Sequence, residues 1–248
     1  MTRGHRREIM PHHPETQHSQ TISKISDVER KGPAMQPQSG AAFITAITFA
    51  CEAVIACARQ LDIIDQECGE GNYGTALARG ANAIKTEIKE GRISTTRPSA
   101  TFTQMSRIVE KEVDGLEGGI YSLFFDIVAK NFRRFENDER LTANMWLIAL
   151  TSANETVAEV SGISVGDRTL LDALVPVEIK LRDALDSGSN PVDAFAEAVN
   201  AAETSAMQTV NSNHKAFKHP AAGAHAVGIW MRAAYEGFKL KFNCNFNA

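Results

Sequence analysis

The sequence is short of cysteine, tyrosine and tryptophan, and it carries no strong strand signal. Its four cysteines, Cys51, Cys57, Cys68 and Cys244, form neither a CxxC pair nor the dense pattern of a stapled scaffold. That excludes a zinc ribbon and a disulfide-built domain, and cysteine's usual burial predicts thiols in a reducing, cytoplasmic compartment. No uninterrupted apolar run reaches bilayer length and the N-terminus has no secretory apolar core, so the expectation is a soluble chain without a membrane partner. A basic stripe is missing too. The formal net charge is −4, and residues 1–35 hold six Lys/Arg against four Asp/Glu, so the remainder stands at −6. Nucleic acid is therefore not an expected partner.

What is present is apolar helical periodicity. At 248 residues and 43% apolar content the chain can build a full core. Residues 1–38 hold His5, His12, His13 and His18 with Pro11, Pro14, Pro33 and Pro37, and they read as a disordered polar tail ahead of one domain over 39–248. From Gly40 onward Phe43, Ile47, Ala50, Val54, Ala58 and Leu61 recur every three or four residues, one buried helical face. The same period predicts further helices over about 73–90, 100–113, 117–132, 138–161, 168–187, 191–213 and 220–242. Asn190 suits a cap with Pro191 in the first helical position. Eight helices of similar length on short turns predict an all-α, up-and-down barrel or bundle, with its sites on the turns at one end.

Three turns carry candidate chemistry. In Asp65-Gln66-Glu67-Cys68-Gly69-Glu70-Gly71-Asn72-Tyr73-Gly74, three oxygen donors, Asp65, Glu70 and Asn72, suit a hard cation that bridges phosphates. The same residues also suit an ordinary Gly-rich interhelical turn. In Asp114-Gly115-Leu116-Glu117-Gly118-Gly119 glycines enter an apolar helix, a ready anion site, although Glu117 occupies the place an anion would take. In Gly166-Asp167-Arg168-Thr169-Leu170-Leu171 the sequence suits Asp167 as an N-cap, with Leu170, Leu171 and Leu174 facing the core.

Taken in order, these segments resemble the nucleotide-binding L domain of the dihydroxyacetone (glycerone) kinases. The family patterns are L-D-x-x-I-G-D-G-D-H-G, G-G-[ST]-S-G-A-L-Y-x-x-F-F and G-D-[RK]-T-M-x-D-A-L-x-P. The third is matched by residues 166–176 and the second by Gly118 to Phe125, and the resemblance covers about residues 40–242. It implies an eight-helix barrel that binds ATP or ADP through Mg²⁺ and serves phosphoryl transfer to dihydroxyacetone. It assigns Asp65, Glu70 and Asn72 to the metal, and Gly115, Leu116, Glu117, Gly118, Gly166, Asp167, Arg168, Thr169 and Gly223 to the nucleotide. The ketose-holding K domain is absent from this length, so the implied partner is a K-type subunit or another L domain.

The departures fall on functional positions. The family's second and third metal aspartates are Glu70 and Asn72, its loop histidine is Tyr73, and its phosphate-contacting hydroxyls are Leu116 and Glu117. The nucleotide-covering segment is shortened before His219-Pro220-Ala221-Ala222-Gly223-Ala224, which lacks its acid. The resemblance therefore implies weak or lost kinase activity. The alternatives are a non-catalytic regulatory or docking module, and a relative of the fatty-acid kinase nucleotide domains, which fit Ile120 to Phe125 less well.

Overall fold

A computed structural model describes residues 30–212 and 215–244. In chain order these form α1 (Pro37–Asp65), α2 (Tyr73–Lys89), α3 (Pro98–Glu112), α4 (Gly115–Phe132), α5 (Ala143–Ser161), α6 (Leu171–Asp186), α7 (Pro191–Gln208), β1 (Asn211–Ser212), β2 (Lys215–Ala216) and α8 (Ala222–Cys244). Short turns make each helix antiparallel to the next, and α8 returns to pack along α1 and close the ring. The all-α eight-helix barrel is thus the observed architecture. Local chemistry sets several starts: Pro37 and Pro98 occupy first-turn positions, and the Asn190 side chain accepts from the N–H groups of Val192 and Asp193 ahead of α7. Gly162, at a φ of 70°, stops α5.

Alternation of direction sorts the helix ends. The N-termini of α2, α4, α6 and α8 share one end of the barrel, here termed the mouth. The opposite end is plugged by aromatic rings: Phe132 and Trp146 lie 4.7 Å apart, Phe43 and Trp146 5.3 Å, and Phe43 and Phe102 5.7 Å. Between the two ends Leu61, Val157, Leu174, Val177, Val199 and Val227 are fully buried.

Four expectations are revised. Residues 1–29 of the expected tail lie outside the described residues, but 30–36 are packed against the plugged end. There the Gly32 N–H donates to Asn137 Oδ1 at 2.7 Å, Ser99 Oγ donates to Lys31 O at 2.6 Å, and the Met35 N–H donates to Thr96 O at 2.7 Å. The Arg97 guanidinium also reaches Gly32 O, and Pro33 is buried. Secondly, the helix expected over 191–213 stops at Gln208, and beyond it Asn211 and Ser212 pair antiparallel with Ala216 and Lys215. Thirdly, α1 is long and apolar enough by length and composition to cross a membrane, against the expectation of no such run. In this fold it is a stave between α2 and α8, with Glu52 paired to Lys85 at 2.9 Å. Finally, the thiols are not uniformly buried: Cys51 is, and burial pushes its pKa up to about 12, but Cys68 is exposed on the α1–α2 loop.

Because residues 30–36 cap the aromatic end with backbone bonds, a chain beginning at Pro37 should melt lower than one beginning at Arg30. The loss of several partly buried hydrogen bonds, about 2–3 kcal/mol, corresponds to a drop of about 4–12 °C in a domain of this size. Differential scanning calorimetry of the two truncations measures it, and equal melting temperatures would show that the segment contributes nothing.

Candidate functional site

The mouth is built from four turns. On the α1–α2 loop, Asp65 Oδ2 accepts the Gly71 N–H at 2.9 Å, and the Asn72 amide donates to Glu70 Oε2 at 3.1 Å. The three expected metal donors thus sit on one loop, engaged with that loop's own groups. The first turn of α2 is satisfied from α1: Asp62 accepts the Thr75 N–H at 2.9 Å and its hydroxyl at 2.5 Å. Nothing in the family pattern singled out Asp62.

At the α3–α4 turn Asp114 pairs with Arg79 at 2.9 Å, Leu116 is 63% exposed, and Glu117 lies in the first turn of α4. Gly118 is obligatory, because a Cβ there would collide with the Val113 carbonyl. Just inside the mouth Tyr73, Tyr121 and Trp230 bring their polar ends together. The Tyr121 hydroxyl and Trp230 N–H are close to their neighbours, yet neither makes a hydrogen bond of ordinary geometry. Burial pushes both phenols up, and the negative charge of Glu117 adds to it for each, with Asp65 adding further at Tyr73.

The α5–α6 turn is organised by Asp172. Only 6% exposed, it accepts the Gly166 N–H at 2.7 Å and the Thr169 N–H at 2.8 Å, one on each carboxylate oxygen. Asp167 is not the expected N-cap: it accepts the Ser164 N–H at 2.8 Å, and α6 begins only at Leu171. The reason is that Asp172 already gathers the turn's free donors. Leu170, Leu171 and Leu174 are buried as expected. Arg168 is the single non-glycine at positive φ among the described residues, at 62°. Its guanidinium donates to Thr209 O and, at 3.1 Å, to His219 O, and it stacks 3.6 Å from the centre of the Phe217 ring.

The fourth turn leads into α8. Gly223 abuts the backbone of Thr169 and Leu170 and the Tyr73 hydroxyl, so a side chain would separate α8 from α6 and α2. Glu67 reaches this turn from the α1–α2 loop: its carboxylate accepts the Lys218 N–H at 2.6 Å and the His219 N–H at 2.8 Å, which holds its pKa below the usual range. Two hollows flank the mouth. One, about 890 Å³, runs between α3 and α4 past Arg107, Glu110, Asp114 and Asp126. The other, about 460 Å³, lies by Ile63, Met207, Pro220 and His225.

The structure therefore brings Gly223 against Thr169 and Tyr73, keeps Asp65, Glu70 and Asn72 on the loop just before Tyr73, and ties Gly166 and Thr169 to one carboxylate, while Gly115, Leu116, Glu117 and Gly118 stay on the first turn of α4. A magnesium ion would ask for converging carboxylate oxygens with free lone pairs. Here Asp65 serves Gly71, Asn72 presents its N–H₂ group to Glu70, and no group of three or more His, Cys, Asp or Glu is placed for a metal among the described residues. The residues present do not fit a three-carboxylate magnesium cage.

The comparisons place this barrel. Residues 67–236 match the DAK2 domain, and the chain belongs to that family, the L-domain class of the dihydroxyacetone kinases. A Solanum lycopersicum protein given the provisional name 3,4-dihydroxy-2-butanone kinase is 31% identical over 232 residues, covering 89% of this chain and 38% of that protein. The human triokinase/FMN cyclase is 26% identical over 196 residues, 75% of this chain and 33% of that one. The dihydroxyacetone kinase from C. freundii in complex with AMP-PNP and Mg²⁺ superposes with a TM-score of 0.67 at 20% identity, over 93% of this chain and 38% of that one. The chain thus spans little more than a third of the length of these relatives.

Sequence reasoning missed Asp62, Glu67 and Asp172. A signal existed for Asp172, an acid six residues after a turn glycine on an otherwise apolar helix face. Replacing it with Ala removes two charge-assisted bonds to partly buried N–H groups, so Asp172→Ala should lose about 2–4 kcal/mol. Urea unfolding gives the loss, and hydrogen exchange should quicken first at Gly166 and Thr169. An unchanged midpoint would remove Asp172 from the organisation of the turn.

Proposed function

We propose that this domain is an L-type module of a dihydroxyacetone-kinase-like system that keeps the barrel and has lost efficient phosphoryl transfer. It binds MgATP weakly at the mouth and works alongside a K-type subunit or another L domain. The carrying observation is Glu117 in the first turn of α4, where four helix N-termini converge and an anion would otherwise be favoured. A carboxylate about 4 Å from a phosphate charge costs about 4 kcal/mol at an effective dielectric of 20. The uncaged loop at Asp65, Glu70 and Asn72 gives a compensating cation only a weak hold, and Tyr73 fills the space beneath. Family membership and the shared barrel support the ancestry of the site, and these substitutions support its weakness.

Isothermal titration of the full chain with ATP and Mg²⁺ tests this reading. The expected dissociation constant is weaker than about 1 mM. Tight magnesium-dependent binding, abolished by Glu117→Ala, would overturn the proposal and show a rebuilt site.

Repair provides the converse. Glu70→Asp, Asn72→Asp, Leu116→Ser and Glu117→Ser together should bring magnesium-dependent ATP binding into the range about 10- to 100-fold tighter than the parent, because one repulsion is removed and three carboxylates again face two hydroxyls. A folded quadruple variant that neither binds nor is stabilised by MgATP would end the claim that the mouth is a disabled nucleotide site.

A further inference from the structure

We propose that residues 215–221 form a latch which Glu67 and Arg168 hold shut across the mouth, so that the ligand-free chain is closed by its own contacts. A phosphate-bearing ligand would have to release this latch before it could take Arg168. The inference rests on the reading of the mouth as a nucleotide end.

Two side chains from different turns grip the same short stretch. From the α1–α2 loop Glu67 accepts two consecutive backbone N–H groups, those of Lys218 and His219, across more than 150 residues of sequence. From the α5–α6 turn Arg168 takes the carbonyls of Thr209 and His219, and it covers the Phe217 ring at 3.6 Å. Thr209 completes the clasp: its hydroxyl accepts the Ala221 N–H at 2.7 Å, and the Phe217 N–H donates to Val210 O at 2.7 Å. Glu67 and Arg168 also stand close enough for the positive charge to favour the ionised carboxylate.

The grip is polar along 215–219, and apolar packing anchors only the end of the stretch, where Ala221 enters the core. Lys215, Ala216 and Lys218 are exposed, so this outer part is held by the clasp more than by a core. Arg168 carries the marks of a strained, incompletely satisfied clamp: a left-handed backbone and a buried Nε without a partner. Such a group exchanges its carbonyl partners readily for an oxyanion that fills all of its donors, which makes self-closure and anion binding alternatives.

Trypsin cleavage of the full chain at Lys215 and Lys218 under native conditions, followed by mass spectrometry, reads the latch directly. Glu67→Gln, which keeps the shape but removes the charge and one acceptor, and Phe217→Ala should each speed cleavage by about tenfold, with the melting temperature within a few degrees of the parent. Tripolyphosphate, as a bare polyanion, should speed cleavage of the parent at Lys218 and have less effect on Arg168→Lys. Parent-like cleavage in both Glu67→Gln and Phe217→Ala would overturn the latch, and no response to tripolyphosphate would overturn its competition with anions. Cleavage does not depend on nucleotide, so the two readings fail separately. Fast cleavage in the variants with no ATP binding by parent or variant keeps the latch and removes the nucleotide reading, whereas ATP binding that appears in Glu67→Gln supports both.

Discussion

An eight-helix ring with alternating directions must place half of its helix N-termini at one end. In this chain those of α2, α4, α6 and α8 meet at the mouth. Each brings backbone N–H groups with no partner inside its helix, together with the positive end of a dipole. Left bare, such a concentration of donors is costly to bury. The question that shapes the rest of the molecule is what supplies the negative charge and the acceptors.

Here the chain supplies them itself. Asp62 serves the first turn of α2, Glu117 sits in the first turn of α4, Asp172 gathers the donors ahead of α6, and Glu67 with the Thr209 hydroxyl takes those leading into α8. Three of these turns thus have side-chain oxygen acceptors from within the sequence, and the fourth has a carboxylate in its first turn. The same geometry filled from outside by phosphates and their cations would be a nucleotide site. Filled from inside it is a closed barrel end, stable without a ligand. The difference between the two needs no change of fold, only of a few turn residues, and this explains how the barrel persists while the cage positions at Glu70, Asn72 and Tyr73 depart from the family pattern.

The helices were legible because a buried stripe repeats every three to four residues whatever the partner, and caps such as Asn190-Pro191 act within three residues of their targets. The mouth was legible only as a set of segments. Its family positions could be read in order, but which groups satisfy which donors depends on contacts between distant residues, as Glu67 and Lys218 show. Local rules favoured Asp167 as a cap, but α6 starts without a side-chain cap, and the buried Asp172 in its first turn instead reaches back to two N–H groups of the preceding turn. The stretch after α7 departs from its expected helix for a related reason. Residues 209–216 have no periodicity that opposes helix, and where the helix ends Arg168 holds Thr209 O and Asn211–Ser212 pair with Lys215–Ala216. The docking of residues 30–36 leaves little trace in the sequence because many of its bonds are made by backbone, which composition does not record.

Magnitudes decide how far these substitutions reach. Replacing the third aspartate of a cage by Asn72 removes one charge from a site that works by neutralising several, and this weakens a cation without excluding it. On the proposed reading Glu117 acts on the ligand itself. A repulsion of about 4 kcal/mol is about a thousandfold in affinity, enough by itself to carry a micromolar nucleotide to millimolar. On the same reading Tyr73 adds steric exclusion, since its ring is buried and its hydroxyl lies at Gly223. The charge at Glu117 therefore weighs most against a nucleotide, the filled space beneath it comes second, and the amide at Asn72 third. That ranking follows from where each group sits relative to the converging N-termini: the closer a fixed negative charge lies to them, the more completely it substitutes for the phosphate they would otherwise attract.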